Sequence, residues 1–319
     1  MVKRMNMSKN VSGVTRDYLH EKKIRRIKEL CCIWSILIIP LIMLAIFWVY
    51  GTIQSIPIAF EHRNEMTGEI SYDFYNFEYL FGNFSTTGKV LLEATKNTLL
   101  YWGLGFFIIT PLSYLMAYFL FKKIPGYKIF RYIFFFPQII SSVILSSFFL
   151  YLVGNNGLIK QLFDSDLLLL RNSDTAMLTM LFYNFYFGLC GNLLYWLSAF
   201  ARLPDELLEA GELDGCNILQ EFIYIALPCT WSFLATMLML MVTGILSSGG
   251  ATLLLTGGGY GTYDLPYYEY LLTTNGAQGV SERMSQGLAG CLGLVKGVII
   301  LPIAIVINHF VGKIENVEF

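Results

Sequence analysis

Charge is scarce in this sequence of 319 residues: Asp, Glu, Lys and Arg make up only 14% of it, whereas 55% is hydrophobic. About a quarter of the residues of a typical soluble domain are charged, because they must cover a surface that faces water. The mean hydropathy of +0.56 is correspondingly high. These values exclude an ordinary soluble protein and predict an integral membrane protein.

Groups that could perform chemistry are also few. The three histidines are far apart in the sequence and do not suggest a metal site. The six cysteines lie in or beside apolar segments, so no disulfide framework is predicted. The sequence contains no recognisable Ser/His/Asp or Cys/His constellation. We therefore predict that the chain is not an enzyme and binds no metal and no cofactor of its own.

Nucleotide-binding motifs and acidic residues deep in apolar segments are missing as well. There is no GxxxxGK[ST] loop, and the run GGGYG at Gly257–Gly261 does not open a helix as a nucleotide fingerprint would. The apolar segments carry no Asp or Glu near their middles, where proton- or sodium-coupled carriers usually place an ionisable group. If the chain transports a solute, the energy is expected to come from another protein.

Six apolar blocks are long enough to cross a bilayer, which takes about 20 residues of helix. They are Cys31–Ile53, Asn97–Phe121, Tyr132–Val153, Met177–Ala201, Phe222–Leu246 and Gly287–Val311. Lys and Arg are concentrated in residues 1–30 and between the second and third blocks, which places both termini in the cytoplasm. We predict an all-α polytopic protein with six transmembrane helices in the bacterial plasma membrane. It comprises a basic cytoplasmic tail, residues 1–30, and a transmembrane domain, residues 31–319.

The loop between the fourth and fifth blocks, residues 203–228, is acidic and contains strong turn and helix signals. Pro204 suits the first turn of a short helix. Asp214-Gly215 is a turn signal, and Asn217 followed by Gln220 resembles a capping box that begins the next helix. The sequence therefore predicts a helix, a tight turn and a second helix on the cytoplasmic side.

This loop also carries a family resemblance. In order and spacing it resembles the cytoplasmic EAA loop of binding-protein-dependent ABC importer permeases, through Glu209-Ala210-Gly211, Asp214-Gly215 and Leu227-Pro228. Gly211 departs from the pattern, since the family usually has a second Ala there. The external stretch Leu255–Leu272 resembles that of carbohydrate-type permeases, and the sixth apolar block resembles the polysaccharide and aldouronate branch.

The resemblance implies a type I ABC importer permease fold and a division of labour among subunits. This chain would be one of two permeases, expected to form a heterodimer that carries a sugar or oligosaccharide. ABC ATPase subunits would bind ATP and Mg and supply the energy, and an extracellular sugar-binding protein would deliver the solute. The expected surroundings are these partners and membrane lipid, with no nucleic acid.

A short helix held by a glycine turn can seat as a rigid peg in a groove on the ATPase. The apolar contacts would come from Leu207, Leu208 and Ala210, and the charges from Glu206 and Glu209. The alternative is a solvated loop lying on lipid headgroups, which the acidic residues disfavour because anionic lipid repels them. The candidate coupling residues are Glu206, Leu207, Glu209, Ala210, Gly211, Asp214 and Gly215.

A solute path is expected to show as polar or small residues at helical spacing. The fourth block has Asn184, Asn192 and Tyr195 at such spacing, and the third has Gln138 and Ser142 beyond a kink expected at Pro137. Amides and aromatic rings suit sugars because they provide hydrogen bonds and stacking faces. The alternative is ordinary helix packing, in which such residues bridge neighbouring helices.

Lys296 is the one charge deep within a predicted span. Because a lysine that faced lipid would cost roughly 2.5–3.5 kcal/mol, it is expected to face protein or the solute path. There it would meet an anionic solute group such as a uronate. Alternatively, it would bond backbone carbonyl groups or extend towards the outer surface.

Two other functions remain open from the sequence. The first is a permease of the same architecture for amino acids, peptides or other small solutes. The second is a stand-alone channel or carrier, which would need no ATPase and would function alone.

Overall fold

A computed structural model describes residues 25–26, 28–63, 69–82, 87–154, 157–163, 169–274 and 282–314. The chain divides into two compact units, residues 1–58 and 59–319. Residues 1–24 of the predicted basic tail lie outside the described residues.

Helix α1, Lys28–Phe60, begins in the first unit and ends in the second. Its segment Leu44–Tyr50 has π-helical hydrogen bonding. Large apolar side chains such as Phe47 and Trp48 are 77% and 68% exposed. An apolar helix of this length with exposed side chains is typical of a segment that lies in lipid.

A two-stranded antiparallel sheet follows, formed by β1, Glu61–Arg63, and β2, Ile70–Tyr72. The sequence did not predict it, because three residues are too few to show an alternating pattern. Helix α2, Tyr75–Gly82, comes next. The buried amide of Asn76 donates to the carbonyl oxygens of Ala59 and Glu61, both at 2.9 Å, and thereby fixes α2 against β1.

Helix α3, Gly88–Phe121, is longer than the predicted span Asn97–Phe121. It packs along α7, Ser173–Phe200. The contact contains aromatic side chains that are almost fully buried, including Tyr118 against Phe200 with ring centroids 5.5 Å apart. These two long helices form the centre of the second unit.

The predicted third span, Tyr132–Val153, is broken into two helices. Helix α4, Tyr127–Ile139, meets α5, Ser142–Val153, at 109°. The kink expected at Pro137 lies three residues further on, where Ile140 adopts an extended conformation. Pro137 lacks the N–H that would stabilise the last turn of α4, so the helix ends shortly after it.

The predicted fifth span, Phe222–Leu246, is also bent. Helix α9, Ile218–Cys229, meets α10, Trp231–Thr243, at 73°. The bend lies at Thr230, two residues after Pro228, and Thr230 turns its hydroxyl back onto the carbonyl oxygen of Ala226 at 2.7 Å. A proline and a threonine bonded to the preceding turn are common causes of helix bending.

The remaining helices are α6, Leu158–Phe163; α8, Asp205–Leu213; α11, Thr252–Leu255; α12, Leu265–Thr274; and α13, Glu282–Ile314. In the part of the chain that the structure describes, four helices are long and apolar enough to cross a membrane, and up to six do so if each bent pair is one span. A largely helical membrane fold is therefore confirmed.

Candidate functional site

Helix α8 and the turn after it form the predicted helix–turn–helix loop. Two acids, Asp205 and Glu206, occupy the first turn, where they interact favourably with the helix dipole. At the other end, the N–H of Cys216 bonds to the carbonyl of Gly211 at 3.0 Å, and that of Gly215 bonds to Glu212 at 3.1 Å. This pair of bonds is a Schellman motif, which ends the helix sharply.

Gly215 makes that turn possible. Its φ of +78° lies in the left-handed region, which strains residues that have a Cβ. Apart from its two chain neighbours, a Cβ at this position would meet no atom within 4 Å. The need for glycine is therefore conformational, and the space beside it is open.

The second helix of the loop begins as predicted. The side chain of Asn217 accepts from the N–H of Gln220 at 2.8 Å, and the side chain of Gln220 accepts from the N–H of Asn217 at 2.9 Å. This reciprocal capping box fixes the start of α9. The predicted sequence of helix, tight turn and helix is confirmed.

One face of α8 packs on the rest of the chain. Leu208 is buried in an apolar cluster with side chains of α3, α7 and α9. A Cβ at Gly211 would lie 2.6 Å from Cδ1 of Ile225. The expectation that Leu208 contacts a partner is therefore wrong, because this side chain points into the chain's own core. Gly211 likewise serves close packing against α9.

The opposite face of α8 is exposed. This exposed surface and the turn after it carry the other predicted coupling residues, Glu206, Leu207, Glu209, Ala210, Asp214 and Gly215. Leu213, which the sequence reasoning missed, is 88% exposed on this face. Its signal was its spacing from Ala210 and Glu209, since residues three or four apart lie along one side of a helix. We call this acidic face with its apolar residues the coupling face.

Lys122 joins this loop to the end of α3. Its ammonium lies 3.0 Å from Glu212 Oε1 on α8 and 3.0 Å from Glu221 Oε2 on α9. Glu212 is exposed, whereas only 2% of the Glu221 side chain is exposed. Partial burial lowers the pKa of Lys122, and the two carboxylates raise it by more, so the pKa lies above its ordinary value.

A second polar cluster surrounds the glycine-rich segment that was predicted to be an external loop. Asp264 is 1% exposed, and its carboxylate accepts bonds from the Gly250 N–H at 3.0 Å, the Thr252 hydroxyl at 2.5 Å and the Tyr267 N–H at 2.9 Å. Asn97 of α3 donates to two carbonyl oxygens of the same segment. The segment from Gly249 to Asp264 is therefore held by hydrogen bonds within itself and by hydrogen bonds from α3.

Lys296 of α13 belongs to this part of the molecule. Its ammonium lies 2.9 Å from both carboxylate oxygens of Glu269 on α12. The side chains are 12% and 29% exposed, respectively. From the sequence, Lys296 was predicted to meet an anionic solute or to bond backbone carbonyl groups. The pairing with Glu269 was not predicted, because Glu269 was assigned to a loop outside the membrane. We call the contacts of Asp264, Asn97 and this ion pair the glycine-loop cluster.

The predicted path residues are distributed over three helices. Asn184 is partly buried and donates to the Gly249 carbonyl at 3.3 Å. Gln138 donates to the backbone carbonyl of Cys190. Asn192 is partly buried, Tyr195 is 56% exposed and Ser142 is exposed at the start of α5. The bonds of Gln138 and Asn184 fit the packing alternative, and a role of these residues in solute passage stays a prediction.

A family described as the binding-protein-dependent transport system inner membrane component matches residues 109–316. The chain is 26% identical over 190 residues to the arabinooligosaccharides transport system permease protein AraP of Bacillus subtilis (strain 168). That match covers 57% of this chain and 58% of that protein. The multiple sugar-binding transport system permease protein MsmF of Streptococcus mutans serotype c is 26% identical over 242 residues, 71% of this chain and 78% of that protein.

The fold is also similar to solved structures. A chain in the crystal structure of a bacterial ABC transporter involved in the import of the acidic polysaccharide alginate superposes with a TM-score of 0.72. The two chains are 22% identical, and the match covers 92% of this chain and 99% of that one. A structure of a bacterial alginate ABC transporter in complex with an alginate pentasaccharide-bound periplasmic protein gives a TM-score of 0.73 at 21% identity.

Proposed function

The chain belongs to the family of binding-protein-dependent transport system inner membrane components, and from that premise we propose that it is the permease subunit of an ATP-driven importer of sugars or oligosaccharides. The solute class is supported by relatives named for arabinooligosaccharides and multiple sugars. The stretch Leu255–Leu272, which follows α10, resembles that of carbohydrate-type permeases and adds to this support.

The coupling face is the observation that carries the proposal. A short helix ends in a Schellman turn, buries Leu208 and leaves acids and Leu213 exposed on its other side. An exposed leucine between carboxylates suits a groove with an apolar floor and a basic rim on an ATPase. The ATPase would bind ATP and Mg, and this chain would contribute no nucleotide site.

The proposed topology has six spans, with each bent pair crossing the membrane once and both termini in the cytoplasm. This arrangement puts the coupling face on the same side as the basic residues around Lys122. The glycine-loop cluster then lies outside, where an extracellular binding protein would dock. A second permease, different from this chain, would complete the path.

In the proposed mechanism, ATP-driven closure of the ATPases moves α8 and shifts the spans between inward-open and outward-open arrangements. Asn184, Asn192, Tyr195, Gln138 and Ser142 are proposed to contact the solute at some stage of the cycle. Lys296 is already neutralised by Glu269, which favours a role in positioning α12 over one in binding a uronate.

The test is purification of the tagged chain in mild detergent, followed by reconstitution with the proteins that accompany it. We expect a second permease and an ATPase, whose ATP hydrolysis rises when a sugar-loaded binding protein is added. Gly215→Val should abolish that stimulation, whereas Gly215→Asn should retain most of it because Asn tolerates the left-handed conformation. Solute uptake by the chain alone, without ATP, would instead indicate a channel or carrier.

A further inference from the structure

The side chain of Lys122 is partly buried, whereas that of the next residue, Lys123, is exposed. Lys122 follows directly on α3, and its N–H bonds to the Tyr118 carbonyl at 3.0 Å, so its backbone continues the last turn of that helix. The side chain is 17% exposed. Lys123, the next residue, is exposed and has a φ of +53°, which turns the chain away. Lys122 is therefore fixed to the end of α3.

The ammonium of Lys122 connects three helices. Its contact with Glu212 reaches α8, and its contact with Glu221 reaches the first turn of α9. Glu221 is nearly inaccessible to water, so its charge depends on Lys122 for compensation. A lysine has three donors, which allows it to bond both carboxylates at once.

The backbone of α8 lies closest to Phe222–Ala226 of α9, and a Cβ at Gly211 would lie 2.6 Å from Cδ1 of Ile225. Leu208 also joins side chains of α3 and α7 in the shared apolar cluster, but that contact is non-directional. The ion pair between Lys122 and Glu212 adds a direct link from α8 to the end of α3. Helix α3 in turn packs along α7. A displacement of α8 would thus reach the centre of the second unit by a second route.

We propose that Lys122 is a positioning residue that ties α8 to the end of α3, so that a movement of α8 is transmitted to α3 as well as to α9. This inference rests on the proposed function, because it takes α8 to be the helix that the ATPase moves. It concerns a residue outside the loop to which the family resemblance assigns coupling.

The experiment uses the assembled complex in lipid nanodiscs with a hydrolysis-deficient ATPase and follows hydrogen exchange with and without ATP. In the natural protein, ATP should change exchange in α8 and also in residues 118–126. In Glu212→Ala, which removes only the exposed contact and should fold normally, the change in α8 should persist. The change in residues 118–126 should fall to less than half.

Three further variants complete the test. Lys122→Gln combined with Glu221→Gln removes the buried charge together with its partner, and should give the same loss at residues 118–126. Lys122→Arg keeps both contacts within reach and should preserve the change. Lys128→Gln, at an exposed lysine in the first turn of α4, is the matched control and should also preserve it.

An undiminished ATP response of residues 118–126 in Glu212→Ala would overturn the proposal, whether or not the double variant assembles. A natural complex in which ATP leaves α8 itself unchanged would contradict the proposed function instead. The two failures are therefore distinguishable in one set of measurements.

Discussion

The two polar clusters of the second unit lie at opposite ends of α3 and satisfy their charges differently. Asn97 of the glycine-loop cluster and Lys122, which bonds to Glu212 of α8, are separated by about 38 Å of helix at 1.5 Å per residue. In the glycine-loop cluster, Asp264 and the pair of Lys296 with Glu269 are satisfied within the chain. At the coupling face, carboxylates and Leu213 are left exposed. The first cluster therefore holds segments of this chain together, whereas the exposed carboxylates and Leu213 form the surface that we propose binds the ATPase.

The largest effect is expected at Asp264. Asp264→Ala would remove the acceptor of three hydrogen bonds and leave buried donors without partners, at a cost of about 3–5 kcal/mol in the free energy of unfolding. The apparent melting temperature of the purified protein in detergent measures this loss. Thr252→Val, which removes one of the donors, should cost much less. If the Asp264→Ala protein is as stable as the natural protein, the hydrogen bonds of Asp264 do not stabilise the fold.

The second-largest loss of stability is expected when the ion pair of Lys296 and Glu269 is broken. Lys296→Met leaves Glu269 without its partner and should destabilise the protein by about 2–3 kcal/mol, less than for a fully buried pair because Glu269 keeps some contact with water. Lys296→Met with Glu269→Gln should recover most of that stability. If the double variant melts no higher than Lys296→Met alone, the pairing does not account for the role of Lys296.

Gly215 should have a moderate effect on stability and a large one on function. Gly215→Val places a β-branched residue at φ +78°, which costs about 1–3 kcal/mol of local strain and distorts the Schellman turn. We expect folded protein that no longer supports stimulated ATP hydrolysis. Normal stimulation in this variant would mean that the turn does not position the coupling face.

Gly211 should give the smallest change. Gly211→Ala gains about 0.5–1 kcal/mol of helix stability but presses on the flexible end of Ile225, so the net change in melting should be close to zero. Gly211→Leu cannot be accommodated in that way and should lower the melting temperature clearly. Equal melting of the two variants would contradict the close contact between α8 and α9.

The sequence was informative where local signals act over a few residues. The capping box of Asn217 and Gln220 and the turn at Gly215 depend on residues within one or two turns, and both were predicted. The broken third span was predicted only as a kink, because Pro137 signals a weak point but does not fix the angle. The tight packing at Gly211 could not be foreseen, since it depends on Ile225 from another helix.

The sequence did not predict the pairings between residues that lie far apart in the chain. Lys296 was recognised as unusual, but its partner Glu269 lies 27 residues away in a segment that was assigned to a loop. Lys122 was counted only for its charge, because nothing local marks contacts with residues 90 and 99 positions further on. The orientation of α8 determines that Leu208 is buried and Leu213 is exposed. The sequence could not predict it, because it depends on which side of the helix packs on the core.

Substitution of Leu213 tests most directly whether the exposed face of α8 binds the ATPase, as we propose. The measurement is the affinity of the purified ATPase for this permease complex in detergent, with the natural chain and with Leu213→Asp. Because Leu213 makes little contact with its own chain, the melting temperature should not change, whereas the affinity should fall at least about tenfold, as for the loss of an interface anchor. Equal affinity with an equally stable protein would contradict the account.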